Sequence, residues 1–260
     1  MITRRPVGIC FGLWILLFYL FLYIPIIVLV LSSFSSSSSG RLGDWSLRWY
    51  QELFDSPEIW QALKNSLVVA FSSVMLSLLM GMALVVTSMR TYFDKVAFLF
   101  YGGLAVPEIV MAVGLLSSFY FFSVPLGLTT LIAGHTLIGL GYVVPMLHAR
   151  ASELDYRLTE ASLDLGATQT QTFFNVTLPL LWPAMVGAAL LVFIISFDDF
   201  FVAFFCAGAT EQTLPLYIFS LIRMGSAPVI NALSTLLLLV SSLLVILFSS
   251  LRVRKLGVMK

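Results

Sequence analysis

The sequence predicts an all-α, polytopic membrane protein with six transmembrane helices, on the basis of three observations. The chain of 260 residues is 60% hydrophobic, and its mean hydropathy is +1.02. Only 10% of its residues are charged, whereas a typical soluble domain contains about 25%. Six apolar runs each reach the ~20 residues that a helix needs to cross a bilayer. We therefore interpret residues 1–260 as a single transmembrane domain.

The first apolar run, residues 7–31, follows Arg4 and Arg5. It is longer than the core of a signal peptide, which spans roughly 7–15 residues, and no small-residue cleavage motif follows it. It is therefore interpreted as an uncleaved first span. Polar and proline-containing segments separate it from the further predicted spans, which are residues 67–89, 96–122, 128–147, 183–207 and 229–251.

Lysine and arginine residues are distributed unequally between the two sides of this predicted domain. Ten of the fourteen lie on the side of the termini, and the positive-inside rule makes that side cytoplasmic. Because the number of predicted spans is even, both termini are predicted to be cytoplasmic. The four basic residues on the outer side are Arg41, Arg48, Lys64 and Arg223.

The loop between the first two spans, residues 32–64, combines a serine tract with an aromatic segment. The tract is typical of a flexible linker, and the segment DWSLRWYQELF that follows contains Trp45, Trp49 and Tyr50. One interpretation is an interfacial helix whose aromatic rings lie at the lipid headgroups. The other is an outer platform that touches a partner or the substrate, and Trp45 is then a candidate substrate-path residue.

Several classes of function are disfavoured by the residues present. The net charge of +1 gives no basic signal for nucleic acid. Cys10 and Cys206 lie in apolar runs and suggest no disulfide framework, while His135 and His148 lack the spacing of a metal site. The sequence contains neither the phosphate-binding loop G-x-x-x-x-G-K-[ST] nor a hydrolase motif. We therefore predict no catalytic residue, no metal and no cofactor in this chain.

Two adjacent carboxylates lie within the fifth predicted span, in the stretch LVFIISFDDFFVAFF. Each ionisable side chain costs about 2.5–3.5 kcal/mol at the centre of a membrane on insertion scales, so Asp198 and Asp199 need a physical reason to be there. One interpretation is a structural pair that caps a helix or pairs with Lys64 or Arg223. The other is a cation site on a water-filled path.

The cytoplasmic connection between spans four and five, residues 148–181, is predicted to contain an amphipathic helix. Apolar residues recur at helical spacing from Leu154 to Leu165, and Gly166 then ends the helix or lets another group approach its backbone closely. On this pattern alone, the connection either docks a soluble partner or only joins two spans.

A longer motif in the same connection resembles the cytoplasmic signature of ABC-importer permeases, which is E-A-A, three residues, Gly, nine residues and I-x-L-P. The spacing here is identical, with Ser162 in place of Ala and Val176 in place of Ile as the departures. The other matching residues are Glu160, Ala161, Gly166, Leu178 and Pro179.

This resemblance implies a type I importer fold in a bacterial inner membrane, with the matching segment as the coupling helix that fits into a cleft on an ATPase dimer. It further implies a second homologous permease and an extracytoplasmic substrate-binding protein as partners. ATP and magnesium would then be bound by the ATPase and not by this chain.

A finer resemblance is to the spermidine/putrescine branch of these permeases. It rests on SFDD at residues 196–199, on TLPLYIFSLIRMGSAPVINALST at residues 213–235, and on Glu108, which falls where that branch tends to place an acidic residue. The resemblance implies a substrate path that includes Glu108, Ser196, Asp198 and Asp199. No lysine or arginine occurs within spans three to five to balance the three acids, which suits a multiply charged cation.

Two alternatives to a polyamine importer remain open from the sequence. The first is the same machine with another small solute, such as iron or thiamine. The second is a cation-coupled secondary transporter that uses the acids as a relay and needs no ATPase.

Cysteines introduced at Ser37 and Thr170 test the predicted topology. Because the charge bias places residue 37 outside and residue 170 in the cytoplasm, an impermeant thiol reagent added to intact cells should label the first and not the second. The parent chain, with Cys10 and Cys206, gives the background. Labelling at both positions in intact cells contradicts the topology.

Overall fold

The computed structural model describes residues 7–36, 45–88, 100–103, 105–155 and 157–257, and this part of the chain is built from helices, as predicted. In chain order the helices are α1 (Val7–Ser33), α2 (Arg48–Asp55), α3 (Pro57–Ser88), α4 (Glu108–Phe121), α5 (Leu128–Ser152), α6 (Arg157–Asp164), α7 (Gln169–Thr172), α8 (Leu178–Asp198), α9 (Phe201–Cys206), α10 (Leu214–Arg223) and α11 (Ala227–Gly257). A π-helical turn, Phe173–Thr177, joins α7 to α8, so that Gln169–Asp198 is one unbroken helix.

Four helical segments in the described part are long and apolar enough to cross a membrane: Phe11–Ser33, Pro57–Thr87, Leu128–Ser152 and Gln169–Asp198. They overlap the first, second, fourth and fifth predicted spans. The sixth predicted span, residues 229–251, lies within α11. The chain is thus a membrane protein with several apolar helices, while the count of six spans stays a prediction.

The third predicted span, residues 96–122, is interrupted. Residues 96–99 lie outside the described part, residues 100–103 are helical, residues 105–107 form a turn, and α4 begins only at Glu108. Pro107 explains the interruption, because proline lacks an N–H donor and disfavours helical backbone in the residue before it.

The fifth predicted span, residues 183–207, begins earlier and ends earlier than expected. The helix that contains it starts at Gln169 and stops at Asp198, because Asp199 has an extended backbone with φ −65° and ψ 128°. The short helix α9 follows. As a consequence, the two aspartates do not lie on one continuous helix, and the predicted cytoplasmic connection of residues 148–181 shrinks to the part between α5 and α7.

The second predicted span also starts earlier than residue 67, since α3 begins at Pro57. Proline is well suited to the first position of a helix, where its missing N–H would have had no partner in any case. The outer connection of residues 32–64 is correspondingly shorter, and it contains the helix α2 that its aromatic segment predicts.

One compact unit comprises Met1–Ile59 and Ile218–Lys260. Within it, α1 and α2 each contact α11. Every side chain from Phe11 to Val28 is exposed, although nearly all are apolar. A helix that is apolar all round and unburied within its own chain suits a lipid environment or the surface of another membrane subunit.

The other compact unit, Trp60–Tyr217, contains two apolar cores that share the helices α3 and α5. The first core joins α3, α5 and α8 through residues such as Val85, Val143 and Val192. The second joins α3, α4, α5 and α9 through residues such as Leu131 and Val202. Because α5 contributes to both cores, it fixes the positions of α4, α8 and α9 relative to one another within this unit.

Gly139 on α5 is predicted to be a packing requirement. A Cβ atom there would lie 2.9 Å from Ser77 Oγ and 3.0 Å from Val192 Cγ1, so Gly139→Ala forces helices apart, at a cost of about 1–3 kcal/mol. The matched control is Gly114→Ala on α4, where a Cβ has no atom within 4 Å. In detergent, the first variant should melt at a lower temperature than the parent and the second should not. Equal melting temperatures contradict the close packing.

Candidate functional site

A cavity of about 610 Å³ lies within the unit Trp60–Tyr217, at the two places where the predicted spans are interrupted. The first interruption supplies Gly103 and Val106 and the start of α4. The second supplies the end of α8 and the residues before α9. The full lining consists of Phe100, Gly103, Val106, Glu108, Met111, Leu137, Ile138, Gly141, Tyr142, Ile194, Ile195, Asp198, Asp199, Phe200 and Phe201.

Three carboxylates, separated by up to 91 positions in the chain, meet at this cavity. Glu108 is the first residue of α4, Asp198 is the last residue of α8, and Asp199 follows it directly. Glu108 and Asp198 are exposed, whereas Asp199 is 5% exposed. The structure therefore brings together the three acids that the sequence singled out, and it gives them different environments.

Helix ends of both polarities meet at the cavity, since α8 ends there and α4 and α9 begin there. The last carbonyl groups of a helix have no partner within that helix, and the helix dipole places partial negative charge at this end and partial positive charge at the other. The carbonyl end of α8 and the carboxylates of Asp198 and Asp199 act in the same direction, whereas the first turns of α4 and α9 oppose them. The preference for a positively charged ligand therefore rests on the three carboxylates and not on the helix ends.

Asp199 is held by the short helix that follows it. Its Oδ2 accepts a hydrogen bond of 3.0 Å from the backbone N–H of Ala203, and so satisfies a donor in the first turn of α9. The same oxygen lies 3.5 Å from His135 Nε2. The sequence-based structural interpretation, in which one carboxylate caps a helix, thus describes Asp199 in part, and the side chain beside its Oδ2 is the imidazole of His135 and not Lys64 among the described residues.

Ser196 belongs to a buried polar network behind Asp199. Its Oγ lies 2.9 Å from His135 Nδ1, and Ser73 Oγ donates to it across 3.1 Å. Ser73, His135 and Ser196 are 0%, 2% and 6% exposed, respectively. Ser196 is not among the described residues that line the cavity, so it supports the site from behind and does not face the cavity.

His135 is the site residue that sequence reasoning missed. The sequence favours a structural role for it, because it lacks metal-site spacing. A signal was nevertheless available, since an ionisable residue inside an apolar span is expensive and generally has a polar partner on another helix. His135 Nε2 and Asp199 Oδ1 are also two of the three buried side-chain atoms in the described part without a hydrogen-bond partner, the third being Thr213 Oγ1.

Trp45 belongs to the other unit, Met1–Ile59 with Ile218–Lys260, and lies in an aromatic cluster. Its ring is 6.3 Å from that of Phe34, which in turn is 5.2 Å from the ring of Tyr50. The cluster is tied to the end of α1, because Trp49 Nε1 donates to the carbonyl of Ser35 across 2.7 Å. Trp45 itself is 71% exposed. Its place on a substrate path stays a prediction.

The predicted coupling segment is a compact helix–turn–helix. Gly166 has a φ of +88°, and the N–H groups of Gly166 and Ala167 donate to the carbonyls of Leu163 and Ser162. These are the two hydrogen bonds of a Schellman motif, which ends α6. Thr168 then begins α7 with a capping box that includes Gln171. A hydrogen bond of 2.9 Å between Ser162 Oγ and Thr172 Oγ1 joins the two helices.

The residues of the coupling signature fall into two environments. Glu160 and Ala161 on α6 and Gly166 after it are exposed, whereas Leu178 packs against the core of α3, α5 and α8. Pro179 is exposed in the first turn of α8. One half of the signature is therefore available to a partner, and the other half anchors the segment to the membrane helices.

The amphipathic helix predicted from Leu154 to Leu165 is shorter in the structure. Leu154 precedes α6 and packs against the core, while Leu165 follows it and is 89% exposed. Of the two explanations offered for Gly166, the structure supports the helix-ending one, since its φ is positive and a Cβ there has no atom of this chain within 4 Å.

Comparison with known proteins identifies close curated relatives, although no protein-family model matches the chain. The spermidine/putrescine transport system permease protein PotC of Haemophilus influenzae is 36% identical over 233 residues, which cover 88% of this chain and 91% of the relative. PotC of Escherichia coli K12 is 35% identical, with 88% of both chains covered. The putrescine transport system permease protein PotI of the same strain is 34% identical, with 86% and 84% covered.

Solved structures with the same fold are ABC transporter chains. A chain of a bacterial ABC transporter involved in the import of the acidic polysaccharide alginate superposes with a TM-score of 0.71 at 17% identity, over 95% of this chain and 98% of that one. A chain of the MetNI methionine ABC transporter, in an inward-facing conformation, superposes with a TM-score of 0.54 at 24% identity, over 75% and 92% of the two chains.

Proposed function

This chain belongs to the family of spermidine/putrescine ABC-importer permeases, and from that premise we propose that its cavity is a polyamine site on the translocation path. The observation that supports this most directly is the meeting of Glu108, Asp198 and Asp199 around one cavity at two helix interruptions. Non-helical backbone at membrane depth is tolerated where it lines a cavity, and such positions are where transporters place substrate sites.

The chemistry of the cavity matches a polyamine, which alternates ammonium groups with methylene segments. The carboxylates and the carbonyl end of α8 provide partners for the ammonium groups. Apolar residues such as Met111, Ile138 and Ile195 form most of the remaining wall and suit the methylene segments. Phe200 and Phe201 also line the cavity, and their rings can interact with a cation. A site of this kind binds weakly enough to release its cargo.

We further propose the machine around the chain. As the permease subunit of an importer, it pairs with a second homologous permease, receives substrate from an extracytoplasmic binding protein and is driven by an ATPase dimer that binds ATP and magnesium. The whole assembly lies in a bacterial inner membrane with both termini of this chain in the cytoplasm. Trp45, exposed in its aromatic cluster, is proposed to meet the arriving substrate on the outer side.

The coupling segment has the properties that docking to an ATPase requires. It is a short helix whose ends are fixed by hydrogen bonds, so its shape does not depend on a partner. Both the carboxylate of Glu160 and the apolar side chain of Leu165 are exposed on it. We propose that Glu160 pairs with a basic side chain of the ATPase and that Leu165 enters an apolar part of its cleft.

Neutralising the acids tests the proposed path. Asp198→Asn and Asp199→Asn keep the side-chain volume but remove the charge, so uptake of radiolabelled spermidine or putrescine should fall more than about tenfold, which corresponds to about 1.4 kcal/mol or more in the barrier. Uptake is normalised to the amount of complex in the membrane. The control is Asp55→Asn, an exposed carboxylate at the end of α2. Normal specific uptake in both cavity variants ends the path hypothesis.

Substitutions at Gly166 separate two explanations of its role in coupling. A residue other than glycine costs about 1–2 kcal/mol in the left-handed backbone region, with asparagine tolerated better than most. Gly166→Val should therefore weaken co-purification of the ATPase and lower uptake, while Gly166→Asn should retain most of both. The amount of chain in the membrane should be equal in the two variants, because residue 166 is exposed. If Asn is as damaging as Val, the requirement is space for the partner and not backbone conformation.

A further inference from the structure

We propose that His135 is a positioning residue for Asp199, which holds one carboxylate oxygen so that the other is presented to the cargo. This inference rests on the proposed cation path and adds a residue that the coupling and substrate motifs do not include. His135 lies on α5, one of the two helices that contribute to both apolar cores, and it touches the chain on both sides of the point where α8 ends.

The imidazole ring makes a separate contact with each of its nitrogen atoms. Nδ1 lies 2.9 Å from Ser196 Oγ, in the last turn of α8, and Nε2 lies 3.5 Å from Asp199 Oδ2, just beyond that helix. Ser196, Asp199 and His135 are all nearly inaccessible to solvent. The ring therefore contacts the chain on both sides of the interruption. It fixes the position of the Asp199 carboxylate relative to the end of α8.

The hydroxyl groups behind the ring are compatible with a tautomer that donates towards Asp199. Ser73 Oγ is within hydrogen-bond distance of both the carbonyl of Ala70, at 3.0 Å, and Ser196 Oγ, at 3.1 Å. When its proton is donated to Ser196, the Ser196 hydroxyl is free to donate to His135 Nδ1. A neutral imidazole that accepts at Nδ1 carries its proton on Nε2. In that form Nε2 is a donor that lies 3.5 Å from Asp199 Oδ2, where the two atoms do not yet make a hydrogen bond. A decrease of a few tenths of an ångström in this distance would make one.

The two oxygens of Asp199 have different tasks. Oδ2 accepts from the N–H of Ala203 and faces His135, whereas Oδ1 is buried and has no hydrogen-bond partner among the described residues. Asp199 also lines the cavity. A buried acceptor without a partner is unfavourable unless a ligand or water completes it, so Oδ1 is the atom assigned to an ammonium group. The contacts at Oδ2 then prevent the carboxylate from rotating away.

Isosteric substitutions of His135 test the proposal. The amide nitrogen of glutamine reaches the position of Nε2, and that of asparagine reaches the position of Nδ1. His135→Gln retains a donor towards Asp199, and His135→Asn retains only the contact with Ser196. We expect specific uptake of radiolabelled spermidine, normalised to membrane abundance, to be at least about fivefold higher in the Gln variant than in the Asn variant.

A double variant shows whether His135 acts through Asp199. If it does, His135→Asn combined with Asp199→Asn should transport no worse than Asp199→Asn alone, because the carboxylate that His135 positions is already gone. Multiplied defects in the double variant, or equal uptake in the Gln and Asn variants, overturn the inference while leaving the cation path intact. Normal uptake by Asp199→Asn alone overturns the inference as well, and normal uptake by Asp198→Asn in addition overturns the path itself.

Ser196→Ala, made in the parent chain and in the Asp199→Asn chain, tests the same inference if a His135 variant does not fold. If His135→Asn does not accumulate in the membrane, Ser196→Ala removes the hydroxyl that orients Nδ1 and makes a smaller change to the core. It should lower specific uptake several-fold in the parent chain and have no further effect in the Asp199→Asn chain. An equal loss in both backgrounds means that Ser196 and His135 only support packing, and the inference fails.

Discussion

Inside a bilayer every backbone N–H and C=O group must find its hydrogen-bond partner within the protein, and this constraint decides where the chain can stop being helical. In the unit Trp60–Tyr217, α3, α5 and the helix Gln169–Asp198 run unbroken for 25 to 32 residues. The helix interruptions before Glu108 and after Asp198 occur beside the same cavity. The candidate site therefore lies where backbone N–H and C=O groups at the two helix interruptions have no partner within a helix.

The interruption after Asp198 is stabilised by the residue that creates it. Asp199 leaves the helical conformation, and its own carboxylate then accepts the N–H of Ala203 that begins the next helix. A carboxylate has more acceptor positions than this one bond uses, so the structural role of Asp199 and its proposed role towards a cation do not compete. The interpretation of the aspartates as a structural pair, which the contact at Ala203 supports in part, is therefore compatible with the proposed cation site.

Sequence patterns predicted those features that depend on composition and local spacing. Hydropathy located the apolar helices, and the spacing of the coupling signature located the exposed turn at Gly166, because both are properties of contiguous residues.

The end of the fifth predicted span at Asp198 was missed, since the apolar run continues through Phe205 without a proline or glycine to mark a break. The contact between His135 and Asp199 was missed because it depends on the relative rotation of two helices that lie far apart in sequence. The π-helical turn at Phe173–Thr177 adds to this difficulty, since such a turn rotates every residue after it by about 100° relative to a regular helix.

The unbroken helix Gln169–Asp198 has a mechanical consequence. Its first residue follows the capped turn of the coupling segment, and its last residue borders the cavity. Thirty residues at 1.5 Å each make a rod of about 45 Å. A tilt of only ~5° about the Gln169 end would displace the Asp198 end by about 4 Å, more than the length of a hydrogen bond. A small rotation at the predicted coupling segment would therefore become a large displacement at the cavity, reduced only by bending at the π-helical turn or at Pro183.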